Sequence, residues 1–286
     1  MARNNLRTIK LKIRILKNKI LWCFCEIKSK LSNKKIIDSE LIIPDSDLKN
    51  ILILAPHADD EWIGCSQVIS KAEKSTVYYY NFLGKNYHQE NETIRQNEIR
   101  NVSKKTGFKL IVSTNRENHS DLKELILENN FTAIFIPFPL DWHPEHIKVN
   151  DIALEILKKI DLSVPLYFYH ISVPTPESMR NCYYLPLSKK EIQTKIKIFD
   201  DCYISQKNTP IRRFAIQNVI WAQSQNFYAA EVFAKLELNE WRELLYFIDE
   251  TFHEIKNIVH FIDSPYKIRH LSNDLYTKFK NHKSTS

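Results

Sequence analysis

Glycine is unusually scarce in this sequence, with three glycines in 286 residues. The phosphate-binding loops of dinucleotide and nucleoside triphosphate sites need closely spaced glycines, because the backbone must turn tightly and approach the phosphates. Gly64, Gly84 and Gly107 are twenty or more residues apart. The sequence therefore excludes both kinds of glycine-rich loop.

Cysteine usage excludes two further classes of protein. The chain has five cysteines, an odd number, with no convincing cleavable signal peptide before them, and no pair has zinc-finger spacing. A secreted domain built on disulfides and a zinc finger are therefore not expected. This usage predicts a reducing, cytoplasmic compartment.

The net positive charge of the chain comes from its first 35 residues. Residues 1–35 hold eleven Lys or Arg and one acidic residue, Glu26, for a net charge of +10, which leaves −3 for the rest of a chain whose total is +7. Because the body is mildly acidic, the overall charge does not indicate a nucleic-acid partner, and we expect none.

The same N-terminal segment has helical periodicity but lacks a long hydrophobic run. Apolar residues recur three and four positions apart between Leu6 and Leu31 among lysines and arginines, which predicts a basic amphipathic helix. Its longest apolar run, 20–25, is far short of the roughly 20 residues that span a bilayer. The helix is expected either to lie on a membrane surface or to pack on the protein with its basic face in solvent.

From residue 51 the chain alternates strand-like and helix-like segments. Such alternation predicts an α/β fold in which a largely parallel sheet carries helices on both faces. The predicted strands are 51–55, 77–83, 110–113, 133–137 and 166–171. The predicted helices are 63–74, 90–106 (closed by Gly107), 121–128 and 146–160. Residues 38–50 are polar and are predicted to be a linker.

Two polar motifs follow the first and the fourth predicted strand. Residues 56–61 read Pro-His-Ala-Asp-Asp-Glu, and residues 141–146 read Asp-Trp-His-Pro-Glu-His. In a doubly wound sheet with the order 3-2-1-4-5 these strands are neighbours, and ligands bind beyond their carboxyl ends. We therefore expect the two motifs to meet in space.

The residue types of these motifs are those of a hydrolytic metal site. Such a site needs about three protein ligands and one open position for water. His57 and Asp60, three residues apart in a turn, can converge on one metal, and His146 from the second motif completes the set. The predicted ligands are therefore His57, Asp60 and His146.

The remaining polar residues of the motifs suit acid–base chemistry. Asp59 is left as a carboxylate beside the metal, able to take a proton from the attacking water and return it to the leaving group. His143 is predicted to stabilise the developing oxyanion or to assist the leaving group. Asp141 or Glu145 is predicted to fix the tautomer of the His143 imidazole.

Together the motifs resemble those of the PIG-L/LmbE-like zinc-dependent N-deacetylases, over about residues 50–236. Weaker matches are Arg95 with Glu98, Lys195 with Ser205-Gln206, and Ala230-Glu231 with Phe233. The resemblance implies a Rossmann-like sheet and the same three ligands, with Asp59 as base and His143 as the oxyanion or acid residue. It also implies zinc as the usual metal, although two imidazoles and a carboxylate suit Fe²⁺ as well.

The resemblance implies an N-acylated amino sugar as substrate, often N-acetylglucosamine linked to a lipid, an inositol or another sugar. Arg95 is a candidate contact for that sugar, or else belongs to a solvated helix face. The chain departs from the family pattern in Ala58 for proline, Glu145 for aspartate, and Ser66-Gln67 where small residues are usual. The first two changes keep every metal donor, and the third is expected to narrow the floor of the sugar pocket.

We therefore expect a metal-dependent hydrolase that removes the N-acetyl group from an amino sugar. Two alternatives stay open: an amidase for a non-sugar acyl amide, and a non-catalytic relative that binds sugars or membranes. The expected domains are a basic helix over 1–38, a deacetylase domain over 39–236 and a C-terminal helical extension over 237–286.

Overall fold

A mixed sheet of seven strands forms the centre of the computed structural model. The structure describes residues 2–32, 38–82, 89–113, 119–160, 164–179, 181–206, 209–223, 225–261 and 264–285. The strands are β1 (Asn50–Ala55), β2 (Lys74–Tyr79), β3 (Lys109–Val112), β4 (Ala133–Pro137), β5 (Leu166–Tyr169), β6 (Cys182–Leu187) and β7 (Ala229–Lys235).

The strand order is β3-β2-β1-β4-β5-β7-β6. The first five strands are parallel to one another, and β7 runs antiparallel to both β5 and β6. The predicted order 3-2-1-4-5 is confirmed, and β1 and β4 are neighbours.

Helices cover both faces of the sheet, as the α/β pattern predicted. They are α1 (Ala2–Leu31), α2 (Asp60–Lys71), α3 (Gln89–Thr106), α4 (Ser120–Glu128), α5 (Pro144–Leu157), α6 (Lys189–Cys202), α7 (Ile211–Trp221), α8 (Leu238–Lys256) and α9 (Pro265–Thr285). Short 3₁₀ helices lie at Ser39–Leu41, Asp45–Leu48, Ile204–Gln206 and Asn257–Phe261.

The apolar run of β1 is buried on both sides of the sheet. Leu52 and Leu54 belong to the core that includes α4, α5 and α8, whereas Ile51 and Ile53 belong to the core that includes α2 and α3. A central parallel strand has no solvent-facing side, which is why its sequence is continuously hydrophobic rather than alternating.

Several predicted boundaries were wrong by a few residues. Helix α2 begins at Asp60 rather than at residue 63, because the acidic residues of the motif form its first turn, where the positive end of the helix dipole favours them. Helix α2 ends at Lys71 rather than at residue 74, which is instead the first residue of β2. Strand β2 ends at Tyr79, and Leu83, the predicted last residue of that strand, lies outside the described residues. Helix α5 covers 144–157 rather than 146–160, and β5 ends at Tyr169.

The predicted linker 38–50 is instead packed on the domain. It forms two 3₁₀ turns, and Ile43 and Leu48 are buried in the same core as Ile51 and Ile53. The backbone N–H of Ile43 donates to the carbonyl of Tyr184 at 3.2 Å. This polar segment anchors itself through its few apolar side chains.

None of the described helices is long and apolar enough to cross a membrane.

Gly64 allows α2 to lie directly against β5. A Cβ at this position would be 2.1 Å from Cδ2 of Tyr169. The Tyr169 ring is fully buried, and its hydroxyl donates to the carbonyl of Leu54 at 2.7 Å. The ring therefore cannot move aside without losing that hydrogen bond.

Changing Gly64 to Ala should lower the free energy of unfolding by about 1–3 kcal/mol, the usual cost of overpacking a core. Urea unfolding measures this change. Ser70→Ala, on the exposed side of the same helix, is the matched control and should change stability by less than about 0.5 kcal/mol. An unaltered midpoint for Gly64→Ala would contradict the contact.

Candidate metal centre and catalytic pocket

The first motif is a tight loop between β1 and α2. The backbone N–H of His57 donates to Oδ2 of Asp60 at 2.9 Å, and the side chain of Gln206 donates to the carbonyl of Ala58 at 2.6 Å. Asp59 has φ 145° and ψ −23°, a backbone conformation that is unfavourable for a residue with a side chain. Such strain is stored at functional positions when the surrounding structure fixes it.

The second motif is the start of α5, directly after β4. His143 is the N-cap residue and Pro144 occupies the first helical turn, where its missing N–H is not needed. Nδ1 of His143 accepts a hydrogen bond from the backbone N–H of Glu145 at 3.3 Å. This bond leaves the proton of a neutral His143 on Nε2.

The two motifs meet because β1 and β4 are adjacent. Nδ1 of His57 lies 3.0 Å from Oδ2 of Asp60 and 3.2 Å from Nε2 of His146, and the last two atoms are 3.4 Å apart. Zinc bound tetrahedrally at about 2.0–2.1 Å by N and O donors has about 3.3 Å between its ligand atoms. The three donors therefore form a triangle of the size that a tetrahedral metal ion requires.

A second donor set shares two of these residues. Nitrogen atoms of His57, His143 and His146 all lie within 4.8 Å of one another. The His143 ring is stacked on the His146 ring with centroids 4.8 Å apart. The chain thus offers His143 as an alternative to Asp60, although at longer range.

Each predicted imidazole ligand has a carboxylate on its other nitrogen. Nε2 of His57 lies 2.6 Å from Oε2 of Glu145, and Nδ1 of His146 lies 3.1 Å from Oδ2 of Asp141. Asp141 is itself held by the backbone N–H groups of His143 and Ser172, at 3.0 and 3.3 Å. Carboxylates in this position fix the tautomer that presents the opposite nitrogen to a metal.

The prediction that Asp141 or Glu145 fixes the ring of His143 was wrong. Glu145 Oε2 is 4.0 Å from Nδ1 of His143, and that nitrogen is already capped by a backbone N–H. Asp141 contacts the backbone of His143, not its ring. Both carboxylates support the other two imidazoles instead.

The clustered charges shift the pKa values of the three donors. Burial would lower the pKa of His57, but Asp60 and Glu145 outweigh it and raise this pKa to about 9. Burial would also lower the pKa of His146, but the carboxylates of Asp141 and Asp60 outweigh it and raise this pKa to about 10. Burial would raise the pKa of Asp60, but the imidazoles of His146 and His57 hold it far below its usual value.

Metal binding should therefore release protons from His57 and His146. In the metal-free protein both rings carry an extra proton at pH 7, and the metal must displace it, so the apparent affinity should rise with pH by up to about 100-fold per unit below pH 9. Calorimetry of Zn²⁺ binding at pH 6.5 and 7.5, in two buffers that differ in ionisation enthalpy, counts the protons released. An affinity independent of pH would contradict this coupling.

The predicted acid–base residues lie beside the triangle. Asp59 is 6% exposed. Burial and the adjacent Asp60 raise its pKa well above the usual value, against the opposing charge of Arg95. Burial together with His146 and His57 lowers the pKa of His143 to about 4, so this ring is neutral at pH 7 and can donate a hydrogen bond through Nε2.

A cavity of about 630 Å³ opens over these groups. This volume lies within the range of about 300–1,000 Å³ that is usual for small-molecule sites. Its wall contains Tyr79, Phe82, Arg95, Trp142, Ile171, Ser172, Thr209, Pro210 and Phe214, in addition to Asp59 and the three candidate metal ligands. Every predicted catalytic or metal-binding residue faces this one cavity.

The family profile that matches the chain is PIG-L, described as GlcNAc-PI de-N-acetylase, over residues 52–157. That stretch runs from β1 to the end of α5 and includes both motifs. Over these residues, which are about a third of the chain, the sequence is similar to the PIG-L family.

Solved structures with the same fold include deacetylases. The A40926 pseudoaglycone deacetylase is 16% identical, with a TM-score of 0.52 over 66% of this chain and 97% of that one. A triple mutant of a deacetylase of the teicoplanin biosynthetic pathway is 12% identical, with a TM-score of 0.52 over 66% of this chain and 98% of that one. A conserved protein from Thermus thermophilus is 17% identical, with a TM-score of 0.50 over 65% and 94%.

No curated protein sequence matches the chain.

Residues of the three weaker family matches bond to one another in the structure. Lys195 and Glu231 are both about 1% exposed and form an ion pair of 2.7 Å. Glu98 accepts hydrogen bonds from the backbone N–H and the hydroxyl of Ser205, at 2.6 and 2.8 Å. The latter pair positions the next residue, Gln206, which holds the first motif through Ala58.

Ser66 and Gln67 do not narrow the pocket, contrary to the sequence-based expectation. The hydroxyl of Ser66 and the backbone N–H of Gln67 donate to the two carboxylate oxygens of Glu231, at 2.6 and 2.9 Å. The Gln67 side chain donates to the carbonyl of Pro186 at 2.9 Å. Neither residue lines the cavity, so this departure from the family pattern affects the ion pair and not the substrate pocket.

Arg95 lines the cavity, and a contact with the substrate stays a prediction. Its Nη1 lies 4.0 Å from Oε2 of Glu98 and, within the described part of the chain, forms no hydrogen bond although it is buried. The aromatic wall formed by Tyr79, Trp142 and Phe214 was not predicted. Tyr79 lies in β2 and Phe214 in α7, both outside the two motifs, so only the position of Trp142 inside the second motif was a signal.

Proposed function

We propose that this chain is a metal-dependent hydrolase that removes the acetyl group from an N-acetylated amino sugar. The observation that carries the proposal is the triangle of His57, Asp60 and His146, with edges of 3.0–3.4 Å, beside a buried spare carboxylate. A binding protein has no need for Asp59 in a strained backbone conformation next to three metal donors.

His57, Asp60 and His146 would hold the metal, which we propose to be zinc, with Fe²⁺ as the alternative. A bound divalent ion would polarise the amide carbonyl and lower the pKa of a water. Glu145 and Asp141 would keep the two imidazoles in the tautomers that leave Nδ1 of His57 and Nε2 of His146 free to bind it.

Asp59 moves the proton. As the water oxygen bonds to the amide carbon, the Asp59 carboxylate takes the water proton, and it returns that proton to nitrogen as the C–N bond breaks, which leaves acetate and an amine. Its raised pKa suits this exchange, since the carboxyl must hold the proton between the two steps. Nε2–H of His143 donates to the carbonyl oxygen while that oxygen carries negative charge.

The rest of the cavity suits a sugar conjugate better than a small apolar amide. Trp142, which is half-buried, offers an aromatic face for a pyranose ring, the largely buried rings of Phe82 and Phe214 add apolar wall, and Arg95, whose side chain is 30% exposed, offers a charged donor for a hydroxyl or phosphate. We propose an N-acetylglucosamine-type sugar that carries a lipid or another glycoconjugate as its aglycone.

The test is acetate release from a panel of acetylated compounds. The panel contains N-acetylglucosamine with a phosphoinositol, an alkyl and a second sugar as aglycone, and N-acetylated amino acids as the non-sugar set. We expect turnover of at least one sugar, with loss on dialysis against a chelator and recovery with Zn²⁺ or Fe²⁺. Turnover of the amino acids alone would favour the amidase, and binding of sugars without acetate release would favour the non-catalytic relative.

A further inference from the structure

Helix α1 carries a continuous apolar stripe that faces away from the protein. Its members are Ile13, Leu16, Ile20, Phe24, Ile27 and Leu31, which are 50–81% exposed. Their spacing of three and four residues places all six within about 80° of the helix circumference. Single exposed apolar residues are ordinary on a protein surface, but six in one stripe mark an interaction surface.

The orientation of this stripe is fixed by contacts on the opposite side of α1. Asn18 is buried and its Oδ1 accepts from Nε of Arg213 in α7 at 3.1 Å. Cys25 is fully buried, with Sγ 3.6 Å from the hydroxyl of Tyr266 in α9. The helix thus packs on the protein through one side, and the stripe lies roughly opposite.

Lysines border the stripe along both edges. At 3.6 residues per turn, Lys17 falls on one edge and Lys19 and Lys30 on the other, and all three are exposed. Lys28 also falls on the first edge, but its Nζ lies 4.6 Å from the centroid of the Tyr266 ring in α9. The single acidic residue of the segment, Glu26, is turned to the protein, where it accepts from the hydroxyl of Tyr228 at 2.6 Å and pairs with Lys189 at 2.9 Å. The outer face of α1 is therefore apolar in the middle and positive at its margins.

We propose that α1 docks the protein onto an anionic lipid bilayer, with the apolar stripe inserted between headgroups. Apolar insertion and attraction to acidic lipids act together on such a helix. A second copy of α1 is the competing occupant, since the spacing also resembles a coiled-coil seam. Two such helices would set lysines against lysines along both margins with no acidic partner, which opposes that pairing.

Flotation of the full chain with lipid vesicles tests the proposal. The protein should float with vesicles containing about 30% phosphatidylglycerol and not with pure phosphatidylcholine. Raising the salt from about 0.1 M to about 1 M shortens the screening length from about 10 Å to about 3 Å and should reduce the floating fraction. Wild-type protein that stays at the bottom with the anionic vesicles would overturn the proposal.

Variants separate the two contributions. Ile20→Ser/Phe24→Ser should lower partitioning on the order of tenfold or more. Lys17→Gln/Lys19→Gln/Lys30→Gln should lower it on the order of 100-fold, since each lysine near an anionic surface contributes about fivefold. The matched control is Leu127→Ser/Tyr246→Ser, which removes equally exposed apolar residues from α4 and α8 and should float like the wild type.

Circular dichroism and the urea midpoint verify that each variant is folded. If the stripe variant were unfolded, the lysine variant and the salt series would still decide the question. Equal flotation of the stripe variant and the wild type would overturn the proposal. So would a dimer in sedimentation equilibrium that becomes a monomer in the stripe variant without any vesicle binding, because the stripe would then belong to a second copy.

Discussion

Replacing Asp60 by alanine should leave the purified protein without its metal and without measurable deacetylation. Oδ2 of Asp60 is one corner of the donor triangle, 3.0 Å from Nδ1 of His57 and 3.4 Å from Nε2 of His146. Two imidazoles alone bind a divalent ion weakly, because hydrolytic zinc sites use about three protein ligands. His57→Ala and His146→Ala should have the same effect. Elemental analysis should show a fall from about one ion per chain to about none.

His143→Ala is the matched variant that identifies the ligand set. Its ring lies in the same cluster, within 4.8 Å of the other two imidazoles. If Asp60 is the third ligand, His143→Ala keeps the metal and loses activity by about 10²–10³-fold through the missing hydrogen-bond donor. Loss of metal from His143→Ala, with metal retained in Asp60→Ala, would instead assign the site to three histidines.

The parallel half of the fold could be predicted because each of its signals is local. A continuous apolar run such as 51–55 indicates a central strand on its own, and Gly107, with φ 86°, ends α3 where the pattern placed the end. The order of the strands then follows from the winding rule. That rule was also sufficient to bring His57 and His146 together across the sheet.

The antiparallel strands β6 and β7 could not be predicted, because long-range contacts override their local sequence. Pro186 would normally argue against a strand, but β6 is the last strand of the sheet order, and no neighbouring strand needs an N–H donor from Pro186 at its outer edge. Glu231 would normally argue against a buried strand, but Lys195, 36 residues away, neutralises it. Neither compensation is visible within a short window of sequence.

The site shows the same division between local and long-range information. The spacing of His57 and Asp60 in one turn is local, and it predicted their convergence. A short stretch of sequence does not determine which carboxylate supports which imidazole, because Asp141 and Glu145 lie within one six-residue motif and either could meet any of the three rings. In the structure Glu145 pairs with His57, and Asp141 pairs with His146. Only the folded arrangement of the loop after β1 and the start of α5 decides which carboxylate meets which ring.

Replacing Asp59 by asparagine should lower kcat by about 10²–10⁴-fold while the metal is retained. The amide has the shape of the carboxylate but cannot accept and return a proton, and Asp59 contributes none of the three donor atoms. Activity assays with parallel elemental analysis measure both effects. The matched control is Glu61→Gln. Glu61 is a buried carboxyl two residues further on, with a pKa raised to about 8; it accepts hydrogen bonds from the hydroxyl of Tyr203 and from the backbone N–H of Asp59, which an amide oxygen can still accept, and it does not line the cavity. It should keep activity within about tenfold.

The same substitution should stabilise the metal-free protein, and this separates a proton carrier from a structural residue. Burial and Asp60 raise the pKa of Asp59 in the folded protein above its value in the unfolded chain. The contribution of this carboxyl to the free energy of unfolding is therefore complete at a pH below the unfolded-state pKa, and it is lost as the pH rises through the folded-state pKa. A neutral asparagine removes the cost of the ionised form, so the melting temperature in the presence of chelator should rise at pH 7 and not near pH 3. A catalytic group that destabilises its own fold is kept for its chemistry. Full activity together with unchanged stability in Asp59→Asn would contradict that role.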